Sequence, residues 1–188
     1  MEHRHILKRI FAVVIVFSII FPLVTAKGTL SEAEKKLPRG YGSVELGMSV
    51  DMTKEALKSD LAFNYKGDRD VSLLPGDERV LISVDGVLYI GESFFQFDKD
   101  RLYIITLMLN KEKIDYYSVF SSLCNKYGEP DKLSPDKSQW ENNSVIVTLE
   151  KPLTLRYTDV SVFTELQESS NVEMTKEEKS RQNFLNSL

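Results

Sequence analysis

An α+β fold of two tandem units, each a helix packed on one face of an antiparallel meander, is what this sequence predicts. Three observations carry the prediction. Helical spacing of apolar residues occurs twice, and each time it gives way to period-two alternation. Turn-forming residues punctuate the alternating runs. The composition is that of an ordinary globular chain: of 188 residues, 42% are hydrophobic and 28% charged, with nine Gly and six Pro.

The elements follow in order. Ser49 can accept a bond from an otherwise unpaired backbone N–H, so a helix is expected from Val50 to about Ser59, with Val50, Thr53, Leu57 and Leu61 on one face. Leu61, Phe63 and Tyr65 then alternate into a polar loop, 66–78, and Val80, Ile82 and Val84 read as a half-buried strand. Asp85-Gly86 supplies the positive φ of a type I′ turn, which predicts a hairpin there and a long returning strand from Val87 to Phe97. Asp98-Lys99-Asp100 turns the chain into a strand ending at Leu109.

The second helix is read from Tyr116, Val119, Phe120, Leu123, Cys124 and Tyr127, capped by Asp115 and closed by Gly128 and Pro130. That spacing puts Cys124 on the core face, as an inert thiol. Ser138 to Glu141 pairs through Asn142-Asn143 with Val145, Val147 and Leu149, and Leu153, Leu155 and Tyr157 repeat the alternation. Thr175-Lys176-Glu177-Glu178 has capping-box spacing for a short last helix to about Leu185. The domain thus spans 43–158 as two fused units, 43–110 and 111–158, between a linker at 27–42 and a C-terminal tail at 159–188.

Residues 1–26 have the order of a secretory signal: Arg4, Lys8 and Arg9, then an apolar run from Ile10, then Val24 and Ala26 at the −3 and −1 positions of a cleavage site. Cleavage after Ala26 predicts an exported protein of the periplasm or cell envelope. The competing reading is an uncleaved anchor, residues 10–26, in the inner membrane, which is then the chain's one expected contact with a membrane.

Both histidines, His3 and His5, lie in that leader, so the mature chain would hold none. This disfavours histidine-based nucleophile pairs, His-ligated zinc and a histidine general base. The lone Cys124 leaves no intramolecular disulfide and no cysteine cluster. Removal of three Lys/Arg and one acid leaves 21 basic and 27 acidic side chains, a net charge of about −6. Nucleic acid is therefore not an expected partner, and no cofactor or metal is expected.

Several residue groups have the composition of chemical sites. Ser134-Pro135-Asp136-Lys137 matches S-x-x-K, but S-D-N and K-T-G elements do not accompany it, and it reads as a turn. Glu92 with Asp98 or Asp100 is the carboxylate pair a small hydrolase of wall or envelope substrates would use. Asp68, Asp70, Asp98 and Asp100 lack the twelve-residue calcium-loop pattern and read as turn carboxylates. A further alternative is a carrier of an apolar ligand, although no sequence feature separates a pocket from a core.

Val44-Glu45-Leu46-Gly47-Met48-Ser49, followed by a short helix and a meander, resembles the envelope-protein superfamily of BamE/SmpA and the β-lactamase inhibitory protein. Lys126-Tyr127-Gly128-Glu129-Pro130 with Trp140 looks like the second half of the tandem inhibitor-type architecture. The resemblance implies the fold alone, since the chain lacks the lipid-bearing cysteine of the barrel-assembly component and has a second unit. The strand Leu102 to Leu109 is apolar on both faces, and Ile90, Phe94, Ile104 and Met108 are expected together on the side away from the helices. That surface is either covered by the last helix or presented to a protein partner. The expected function is accordingly a non-catalytic exported adaptor using Ile90, Phe94, Ile104 and Met108.

Overall fold

The computed structural model describes residues 35–73 and 79–187, without the side chains of 173–175 and 177. The leader lies outside the described residues; everything described belongs to the unit Ala33–Leu188.

The chain opens with a two-stranded hairpin, β1 (Gly40–Tyr41) and β2 (Val44–Glu45), and then helix α1 (Val50–Ser59). Ser49 caps α1, its side chain accepting from the Met52 amide, as its position before the apolar face requires. Short strands β3 (Phe63–Asn64) and β4 (Val71–Leu73) flank a 3₁₀ turn at Gly67–Asp70. Three long strands follow: β5 (Arg79–Gly86), β6 (Ile90–Asp98) and β7 (Arg101–Leu109). Helix α2 (Tyr116–Tyr127) carries the Asp115 cap and ends on Gly128 at φ 77°. Strands β8 (Lys132–Leu133), β9 (Lys137–Glu141), β10 (Val145–Glu150) and β11 (Thr154–Asp159) lead to helix α3 (Val160–Leu185).

Two tandem helix-plus-meander units are not what forms. All strands from β3 onward join one nine-stranded antiparallel sheet, ordered β3-β5-β6-β7-β11-β10-β9-β8, with β4 also on β5. The last strand, β11, inserts beside β7, pairing Leu155 with Leu107 and Tyr157 with Ile105. This non-local pairing fuses the two runs into one sheet at its centre. A period-two pattern identifies strands but carries no information about which strands become neighbours.

Three local corrections have clear causes. Asp85 and Gly86 are not a turn; they pair with Asn64 and Phe63, and the chain reverses through 87–89, with Leu88 at φ 58°. Leu61 is 91% exposed beyond the end of α1, off the apolar face expected to include it. The C-terminal helix begins at Val160, not near Thr175, because Asp159 caps it through the amides of Ser161 and Val162. From Gln167 onward every described residue of α3 is exposed, so this length does not cover the sheet.

The core lies on one sheet face, where α1 buries Thr53 and Leu57 and α2 buries Leu123. Phe63 and Phe95 meet edge to face at 5.6 Å on the α1 side, and Phe120 packs on Trp140 at 6.1 Å on the α2 side. Trp140, Phe95, Ile105 and Leu107 are fully enclosed, each stabilising the fold by about 2 kcal/mol through apolar burial.

Candidate functional site

Between the two helix-covered flanks, the central strands meet an open cleft of about 410 Å³. Its floor is Ile90, Leu109, Leu155 and Tyr157, from the start of β6, the end of β7, and β11. One wall is the face of α2 bearing Val119, Ser122, Lys126 and Tyr127; the other is the β1 hairpin with Tyr41 and Gly42.

Local chemistry fixes both walls. The hairpin turns at Gly42, at φ 60°, and Asp60 at the end of α1 accepts from the Ser43 amide at 2.9 Å and its hydroxyl at 3.0 Å. Tyr41 stacks edge to face on Phe63 at 6.1 Å, tying the hairpin to the α1 flank. On the opposite side the indole N–H of Trp140 donates to the Gly128 carbonyl at 2.8 Å, and the Tyr116 hydroxyl lies 3.2 Å from that of Ser138. The end and the start of α2 are thereby pinned to β9, leaving its other face over the cleft.

The lining is mostly apolar, with four phenols in it: Tyr41, Tyr127 and Tyr157, and the more exposed Tyr89. Tyr157 is only 5% exposed, and its hydroxyl has no hydrogen-bond partner among the described residues. The hydroxyl is not itself enclosed: it opens into the cleft, where a ligand acceptor can take the place of water. Burial pushes Tyr157 well above the ordinary phenol range, and the neighbouring phenols of Tyr127 and Tyr41 add to the rise; burial also raises Tyr127. Both stay neutral donors at physiological pH. Lys126, at the exposed rim, is the one charged side chain of the lining, and no carboxylate joins it.

The family of the TP0088 domain matches residues 39–169. The chain belongs to that family. No curated protein and no solved structure matches it. The matched span of this TP0088 domain contains the whole sheet, α1, α2 and the first part of α3, and hence nearly all of the cleft.

The four residues expected on one partner-binding face are divided in the TP0088 domain. A β-bulge between Ile90 and Glu92 reverses the alternation, so Ile90 turns to the helix side, 4% exposed, on the cleft floor. Phe94, Ile104 and Met108 stay on the open face, where Met108 is 43% exposed. Across the ladder they face Thr106, Gln96 and Glu92, so polar side chains interrupt the apolar ones.

The carboxylates have structural occupations. Asp98 is buried near Arg79 at 3.8 Å, and Asp100 caps α1 by accepting from the Val50 amide at 2.9 Å. Glu92 is exposed on the open face, away from the cleft. Ser134 donates to Asp136 at 2.8 Å and its amide bonds the Lys137 carbonyl, which closes a turn. Cys124 is half-buried, and burial, then Glu129, raise its thiol above the usual range. Among the described residues no helix is long and apolar enough to cross a membrane.

Sequence pattern alone places Tyr41 in the linker and Tyr157 on a strand, and assigns neither to a site. The available signal was Tyr157 itself: a tyrosine on the buried side of an alternating strand needs a partner for its hydroxyl.

Proposed function

We propose that this protein is a non-catalytic exported binding module that holds the apolar body of a small ligand in the central cleft. The observation that carries the reading is a mostly apolar cleft of about 410 Å³ into which the hydroxyl of the otherwise buried Tyr157 opens, without a hydrogen-bond partner among the described residues. That volume falls within the roughly 300–1,000 Å³ of small-molecule sites, which combine an apolar lining with a few polar groups that orient the ligand. The test is titration with the neutral fluorophore N-phenyl-1-naphthylamine. Saturable one-to-one binding is expected, weakened about tenfold or more in Ser122→Trp, where a large ring enters the cleft from an exposed position. Absence of binding, or equal binding by the folded variant, refutes the reading. Export belongs to the same proposal: protein recovered from its native envelope fraction should begin at Lys27.

A second reading rests on half-buried Phe94 and Ile104 and exposed Met108, which give the open sheet face an apolar character. There the protein would be an adaptor for another envelope protein, with this face as the contact. Phe94→Asp in a folded chain should then abolish co-purification of that partner, and unchanged co-purification removes this face from consideration.

A further inference from the structure

We propose that the cleft is selective for an amphiphile with one anionic head group, of which an alkyl carboxylate is the simplest. The head is held by the Tyr157 and Tyr127 hydroxyls, with Lys126 at the rim. This rests on the ligand-binding reading above and names its ligand class.

Three features select the head. Tyr157 presents a hydroxyl without a partner among the described residues, in a lining that is otherwise largely apolar. A hydrogen bond to an ionised acceptor in such surroundings is about twice as strong as one between neutral groups. Burial disfavours ionisation of both phenols, so they do not become anions that would repel the head. The lining contains the ammonium of Lys126 and no carboxylate, so its charge favours an anion over a cation.

The body is selected by Ile90, Leu109, Leu155 and Val119, which offer only hydrocarbon. A ligand with several charges would leave some of them unpaired against this floor, at considerable cost. A bare hydrocarbon would leave Tyr157 unsatisfied. An alkyl chain ending in one carboxylate meets both requirements.

The experiment is displacement of N-phenyl-1-naphthylamine from the full chain by dodecanoate and by dodecyltrimethylammonium, below their micelle-forming concentrations. The two share a twelve-carbon chain and differ in the head. Dodecanoate is expected to bind at least about tenfold more tightly. Tyr157→Phe should weaken dodecanoate by about tenfold or more and leave dodecyltrimethylammonium unchanged. Lys126→Gln should weaken dodecanoate about two- to fivefold, an effect that disappears in high salt because the lysine is exposed. The Tyr157→Phe chain should melt with the wild type, since no hydrogen bond is lost on removing that hydroxyl.

Equal binding of both probes, with Tyr157→Phe altering neither, overturns the head-group assignment and leaves the cleft as an unselective apolar site. If the fluorophore itself does not bind, the ligand-binding reading fails and this proposal fails with it.

Discussion

Asp159 joins three parts of the protein, and its removal has a calculable cost. It ends β11, caps α3 through the amides of Ser161 at 3.0 Å and Val162 at 3.3 Å, and accepts from Arg39 at 2.9 Å. Asp159→Ala loses the cap, about 1–1.5 kcal/mol, and an ion pair discounted to about 0.5–1 kcal/mol because Arg39 is substantially exposed. A loss of about 2 kcal/mol lowers the melting temperature of a domain this size by about 4–8 °C. Asp159→Asn keeps the capping oxygen and should lose less than half of that. Burial tends to raise the Asp159 carboxyl, but Ser161, Arg39 and Val162 together hold it below the ordinary aspartate value of 3.8. A depressed folded value means that its contribution is fully present above pH 3.8 and is lost as the pH falls below that, through the folded value. The gap between wild type and Asp159→Asn should therefore be constant near neutrality and close in strong acid. Thermal unfolding followed by circular dichroism reads both effects. Melting of Asp159→Ala within 1 °C of wild type, taken as about 0.3 kcal/mol, would refute the clamp.

Other residues make separate predictions. The Thr53 hydroxyl is enclosed without a partner among the described residues, so Thr53→Val should stabilise the protein by about 1 kcal/mol, raising the urea midpoint at unchanged slope. A methyl on Gly86 would sit 2.3 Å from Ile90 Cγ2 and 2.6 Å from the Ile90 carbonyl oxygen, so Gly86→Ala should cost about 1–3 kcal/mol and weaken cleft binding through Ile90; an unchanged melting curve contradicts this. Cys124, its thiol raised by burial and then by Glu129, should react slowly with a disulfide reagent at neutral pH and rapidly once denatured.

What the sequence made legible was local. Ser49, Asp115 and Gly128 mark helix ends by hydrogen bonds within a few residues, and α1 and α2 form at those bounds. Lys99 and Asp100 adopt φ 49° and 58°, the turn their composition suggests. Gly86 misleads because a glycine serves close approach as well as turning: here it makes room for Ile90 while pairing with Phe63. The side taken by Ile90 depends on the bulge beside Gly91, for which a glycine within a strand was the one available sign. The pairing of β11 with β7 is non-local, and so is the cleft, which gathers Tyr41, Tyr127 and Tyr157 from a hairpin, a helix and a strand. No spacing rule brings those three together. Only the assembled sheet shows that they share one cleft.

The central claim is that the cleft, and not the open sheet face, is the binding surface. It is tested most directly by a heteronuclear NMR titration of the isotope-labelled protein with dodecanoate. The account predicts saturable shifts concentrated at Tyr41, Ser118 to Tyr127, and Leu155 to Tyr157. Shifts centred on Phe94, Ile104 and Met108, or no saturable shifts at all, would contradict it.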